Sequence, residues 1–176
     1  MKKLLFIALV MLFGFNYMAK AQDESTREEN LPNVLKVNPF GLAFGNINLN
    51  YQRALGATSA IQIGANYWYK ILGTEVNGFG VRGSYQFFIT NRAKAAPEGF
   101  YIGPSVSYNS FTEKSTDASA SAVGVGFMLG YQWIWDSGMT LDLGIGPIYQ
   151  FANDDVTEES YDGVLPNITV AIGFNF

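Results

Sequence analysis

The stretch Ile168-Thr169-Val170-Ala171-Ile172-Gly173-Phe174-Asn175-Phe176 alternates without interruption. Ile168, Val170, Ile172, Phe174 and Phe176 are large and apolar; Thr169, Ala171, Gly173 and Asn175 between them are small or polar. A period of two is that of a β-strand whose two faces meet different surroundings. The apolar face runs on to Phe176 and needs an apolar solvent or a partner to cover it.

Working back from this strand, seven more segments share its period, making eight. The first spans about 34–44, with Leu35 and Val37, then Phe40, Leu42 and Phe44; its phase slips at Asn38-Pro39, where proline favours a bulge. The next two span about 47–54, with Ile47, Leu49 and Tyr51 outward in phase, and about 59–71, with Ile61, Ile63, Tyr67 and Tyr69. The fourth, fifth, sixth and seventh span about 78–90, 99–111, 120–135 and 139–151. The pattern predicts an all-β, up-and-down antiparallel sheet. Leu55–Thr58 and Asp136–Gly138 read as tight turns, whereas Glu113–Ser119 and Ala152–Leu165 read as longer polar, acidic loops.

The N-terminal end is different. Lys2 and Lys3 precede an apolar run of twelve residues, Leu4 to Phe15, and Ala19-Lys20-Ala21 has the small-x-small form of a cleavage site. Residues 1–21 therefore read as a secretory signal peptide cut after Ala21. The run falls short of the roughly 20 apolar residues of a spanning helix. Residues 22–32 are polar and aperiodic, a disordered periplasmic lead-in, and 33–176 form the barrel domain.

Two barrels suit eight alternating strands: a soluble one with its apolar face inside, and a membrane one with that face outside. Few charges fall within the strands: Lys36, Arg53, Lys70, Arg82 and Asp142. A water-facing sheet surface would carry more Lys and Glu. The non-apolar face consists largely of Gly, Ser, Asn and Gln, which suit the crowded lumen of a closed eight-stranded cylinder. The other face is broad and rich in rings, so it is expected to face lipid. With the N-terminus on the short-turn side, Tyr85, Phe87, Phe100, Trp133, Trp135, Phe174 and Phe176 fall near one rim and Tyr67, Tyr69, Tyr108, Tyr149 and Phe151 near the other. Two aromatic girdles are the pattern of a transmembrane barrel.

The signal peptide, the eight alternating segments and the terminal Gly173-Phe174-Asn175-Phe176 resemble the small outer-membrane barrels of Gram-negative bacteria: the OmpA-barrel, OmpX and OmpW-like proteins and their uncharacterised relatives. The resemblance is one of architecture over about 33–176. It implies that Phe174 and Phe176 belong to a recognition signal for the barrel-assembly machinery, so deletion of Phe176 is expected to impair assembly. It implies no ligand. The peptidoglycan-binding domain of full-length OmpA-type proteins is not expected.

Composition narrows the chemistry. The chain has no His and no Cys. Ser/His/Asp relays, metal sites using His and thiol chemistry are thereby excluded, and no catalytic residue or cofactor is expected. Net charge is −4, and −7 once Lys2, Lys3 and Lys20 leave with the signal. No basic patch remains for nucleic acid. Gly78-Phe79-Gly80-Val81-Arg82-Gly83 matches G-x-G-x-x-G, but Ser84-Tyr85-Gln86-Phe87 continues as a strand where a dinucleotide site needs a helix. Asn167-Ile168-Thr169 is a formal sequon without meaning in a bacterial barrel strand.

Two constellations remain. Lys36, Arg82 and Asp142 fall on the lumen face, where a confined charge needs a counter-charge; a structural plug is a simpler reading than a gate or ion path. Glu75, in the second outer loop, is a further partner for a lumen or rim cation. Asp154, Asp155, Glu158, Glu159 and Asp162 concentrate carboxylates in the last loop, weak candidates for Ca²⁺ or for the divalent ions that bridge lipopolysaccharide. Their spacing is not that of an EF-hand, and a solvated loop explains them more simply. The expected protein is a non-enzymatic, monomeric outer-membrane barrel with outer-membrane lipid, lipopolysaccharide and the assembly machinery as partners. Its role is structural or mediated by its loops. A narrow pore for small or apolar solutes is the alternative, and a soluble periplasmic ligand-binding barrel the second.

Overall fold

A computed structural model describes residues 33–71, 74–89, 95–113, 119–154 and 160–176. The signal-peptide and lead-in expectations lie outside them. The elements are β1 (Asn33–Val37), α1 (Pro39–Ala43), β2 (Asn46–Gly56), β3 (Ser59–Ile71), β4 (Thr74–Phe88), β5 (Gly99–Glu113), β6 (Ser119–Ile134), β7 (Met139–Asp154) and β8 (Ser160–Asn175). Each strand pairs antiparallel with its neighbour in the chain, and β1 pairs with β8 to close an eight-stranded barrel. The all-β, up-and-down architecture expected from the alternation is the architecture observed.

Two boundaries differ most from expectation. The first segment is not one strand: β1 stops at Val37, and the chain turns through α1. Asn38 caps this turn, its Oδ1 accepting from Phe40 N at 3.0 Å and Gly41 N at 3.2 Å. Pro39, which has no N–H to lose, takes the first helical position. Phe40, Leu42 and Phe44 remain exposed, so their alternation reflects an apolar exterior rather than an extended chain. The second difference is at the other end. The interval 152–165 is not all loop, because β7 reaches Asp154 and β8 starts at Ser160, with Phe151 opposite Asp162 and Tyr149 opposite Val164. Backbone pairing extends this hairpin past the point where side-chain alternation fades.

The tight turns sit where expected. Gly138 has φ +83°, and its N–H donates to Trp135 O at 2.8 Å. Glycine suits that left-handed conformation, and a Cβ there would also lie 2.7 Å from the Phe174 ring. At this same end the chain closes on itself: Asn33 and Phe176 exchange both backbone hydrogen bonds, at 3.2 and 2.8 Å.

Side chains alternate sharply between the two faces. Asn46, Asn50, Gln52, Gln62, Asn66, Gln86, Ser105, Gln132, Thr140, Asp142 and Asn175 are buried, while large apolar residues on every strand are exposed. The small apolar core lies inside the barrel at the short-turn end. Ala60, Phe88, Ala96, Tyr101 and Met128 pack together there. Ala96 belongs to the β4–β5 connection, which tucks in by donating its N–H to Ala57 O at 2.8 Å.

The ring is not equally complete along its height. β1 covers β8 only from Ile172 to Asn175 and β2 only from Leu49 to Arg53. Above Val37 the sheet has seven strands, and α1 lies between β2 and β8 in place of the eighth. The Tyr69 hydroxyl donates to Leu42 O and ties α1 to β3. Pro147 stands opposite Pro166 in the β7–β8 ladder. Two prolines cannot exchange N–H···O bonds, so this is a non-hydrogen-bonded pair, and the donor that Pro166 lacks is one that would face the uncovered edge.

Candidate functional site

The lumen near the short turns holds a closed polar network built from six strands. Lys36 comes from β1 and Asp142 from β7, on opposite sides of β8. Both are inward in phase, and barrel closure brings Lys36 Nζ to 2.6 Å from Asp142 Oδ2. Both side chains are fully buried. The ammonium also donates to Gln132 Oε1 at 2.9 Å and Gln52 Oε1 at 3.3 Å, which uses its three donors. Gln132 Nε2 donates to Gln52 Oε1 at 2.9 Å, and Gln52 Nε2 donates to Gln86 Oε1. Across the lumen, the Tyr101 hydroxyl donates to Asp142 Oδ1 at 2.8 Å.

A buried charge is tolerated when it is paired and its remaining hydrogen-bonding capacity is met. That condition holds here. Both carboxylate oxygens of Asp142 are engaged, and the lysine has no donor left over. The group is also closed to solvent, so no substrate can reach a proton or a lone pair. What this arrangement can do is fasten β1, β2, β4, β5, β6 and β7 to one another from inside.

Glycine makes room for the tyrosine. A Cβ on Gly130 would lie 2.5 Å from the Tyr101 hydroxyl and 2.5 Å from Leu143 O. The Tyr101 ring packs against Phe88, centroid to centroid 5.6 Å, above the buried residues Ala95–Pro97. The short-turn mouth thus has a floor.

Arg82 stands apart from the network. It lies on β4, with Gly64 and Ser107 as its ladder neighbours, and it has no salt bridge among the described residues. Arg82 lines a cavity with Gln62, Ser84, Ser105 and Ser107, and Gln86 and Tyr101 of the network border the same cavity. Of the three lumen charges singled out from sequence, the fold therefore joins two and separates the third.

Other candidates have simpler places. Glu75 is not in a loop but on β4, opposite Lys70 in the β3–β4 ladder. Asp155, Glu158 and Glu159 lie outside the described residues. Asp154 ends β7, and Asp162 lies exposed in β8 opposite Phe151. Among the described residues no group of three or more acidic side chains is arranged to hold a metal. Gly78, Gly80 and Gly83 are strand residues of β4. Phe174 and Phe176 are exposed on the outside of the closing seam.

Four members of the network did not stand out in the sequence. Gln52, Gln86 and Gln132 belong to the polar face, but which glutamines share a level with Lys36 depends on the stagger of the strands. Tyr101 carried a local signal: it is an aromatic in phase with Gly103, Ser105 and Ser107 rather than with Phe100 and Ile102.

Comparison with curated proteins and with solved structures finds no match for this chain. A family model does match, over residues 6–175, and the chain belongs to the family described as protein of unknown function (DUF3575).

Proposed function

We propose that this protein is an integral outer-membrane β-barrel without catalytic activity, inserted after removal of a signal peptide, and acting as a structural element or through its outer loops. One observation carries the reading. Leu35, Leu49, Ile63, Val81, Val106, Val125, Ile145 and Ile168, one from each strand, are all exposed on the outer wall. An apolar surface encircling the molecule is an aggregation liability in water and a match for hydrocarbon. The polar lumen supports the same reading, because a soluble barrel would place these two faces the other way round.

Outer-membrane lipid and lipopolysaccharide are the partners this surface suits. Phe176, outside the closing seam, is the residue whose loss would hinder recognition by the assembly machinery. The saturated Lys36–Asp142 network and the floor at Ala95–Pro97 weigh against an open pore. The test is membrane fractionation with gel mobility before and after heating. Recovery in the outer membrane, with compact migration until boiled, is expected. Recovery of the mature protein in the soluble fraction without detergent would overturn the proposal.

A further inference from the structure

The charges inside the barrel do not cancel. Among the described side chains of the lumen, Lys36 and Asp142 neutralise one another, which leaves the guanidinium of Arg82. Asp142 is ion-paired with Lys36 and accepts from Tyr101, and no salt bridge joins it to Arg82 among the described residues. A confined cation without a carboxylate draws its counter-charge from solution.

The surroundings of Arg82 favour that outcome. Ser105 is 8 % exposed, lines the same cavity, and has an Oγ without a hydrogen-bond partner. Gln62 also lines the cavity, but its unpartnered Oε1 is an acceptor and offers an anion no donor. Ser84, Ser107 and Thr169 add hydroxyls that rotate to donate. Among the described residues no carboxylate lines the cavity. Its free volume of about 20 Å³ exceeds the roughly 10–15 Å³ needed for one water and suits one small ion. We infer that Arg82 and Ser105 bind one small monovalent anion, chloride in ordinary media, inside the barrel. The inference depends on the lumen alone and stands or falls separately from the location of the barrel.

The test uses the whole mature protein refolded in a zwitterionic detergent. Thermal unfolding is followed in sodium chloride and in sodium gluconate at equal ionic strength, gluconate being much the bulkier anion. A chloride-specific, saturable rise in the unfolding midpoint is expected, absent from Arg82→Gln. Chlorine NMR line broadening by the wild-type protein, lost in the same variant, is the direct measure of binding. Ser105→Ala, which keeps the cation, should weaken chloride about three- to tenfold through one lost hydrogen bond. Equal midpoints in the two salts, or a chloride effect that persists in Arg82→Gln, would overturn the inference. Should Arg82→Gln fail to refold, unchanged chloride affinity in Ser105→Ala would overturn it instead.

Discussion

The two halves of the lumen are built differently. At the short-turn end eight strands complete the ring, and the interior is filled: a floor at Ala95–Pro97, an apolar layer around Phe88 and Tyr101, and the Lys36–Asp142 network with its glutamines. Beyond Val37 seven strands and α1 form the wall, and Arg82 lines a cavity with several serines, Gln62 and Asn167 that borders Tyr101 and Met128 below. Unpartnered buried atoms occur in both. Asn46 Nδ2, Trp68 Nε1 and Ser105 Oγ belong to the second region, whereas Asn50 Oδ1, opposite Lys36 on the β1–β2 ladder, Gln62 Oε1, opposite Gln52, and Thr140 Oγ1 belong to the first. A complete hydrogen-bonded ring lets side chains from many strands be fixed against each other. An incomplete one leaves polar groups without such partners among the described residues.

The strongest way to break this contrast is to remove one charge from the filled half. Lys36→Met leaves Asp142 buried without its cation, and losing one member of a buried pair costs about 3–5 kcal/mol. The midpoint of urea unfolding in lipid vesicles should fall accordingly. Lys36→Met combined with Asp142→Leu should recover most of the loss, because the cost lies in the orphaned charge. If the single variant unfolds like the wild type, the network is not what holds this half together.

Tyr101→Phe comes next. It removes the hydroxyl that donates to Asp142 and leaves the ring on Phe88. A hydrogen bond to a charged group is worth about 1.5–3 kcal/mol. The glycines sharpen the same point. Gly130→Ala would place a methyl 2.5 Å from both Leu143 O and the Tyr101 hydroxyl, whereas Gly163→Ala meets nothing within 4 Å. The first should cost about 1–3 kcal/mol, as overpacking does, and the second should leave the unfolding midpoint unchanged.

The incomplete seam makes a prediction of its own. Ile168 and Val170 direct their backbone groups away from β7, by the same parity that aims Phe176 at Asn33, and β1 does not reach them. Their amides should exchange with deuterium faster than those of Phe174 and Ile172 on the same strand, where β1 is present. Uniform protection along β8 would show that α1 closes the wall as well as a strand does.

Much of this contrast was legible in the chain. The alternation that ends at Phe176 determines the face of nearly every strand residue, because a half-buried sheet cannot slip by one without inverting its faces. What alternation could not resolve was where β1 ends. Phe40, Leu42 and Phe44 keep the period of two, yet Asn38-Pro39 is also a cap followed by a first-turn proline, and the local backbone signal prevailed. Nor could it show that Lys36 meets Asp142 while Arg82 does not. Their sequence separations are arbitrary, and only the stagger of closed strands sets which residues share a level.

The smallest effect concerns an unpartnered hydroxyl in the filled half. Thr140 is fully buried on β7, opposite Gly173 of β8, and its Oγ1 has no hydrogen-bond partner. A buried hydroxyl without a partner has lost its hydration and gained nothing in return. Valine has nearly the same shape and no such group, so Thr140→Val should leave the fold intact and raise stability by up to about 1 kcal/mol. The same reasoning applied to Ser105→Ala gives the opposite sign when chloride is present, because Ser105 shares its cavity with Arg82 and the anion proposed there. Measured side by side in chloride and gluconate, the two variants separate an idle hydroxyl from one that waits for a ligand. If both behave alike in both salts, the unpartnered atoms of the two halves are equivalent, and the distinction between a filled and a receptive lumen fails.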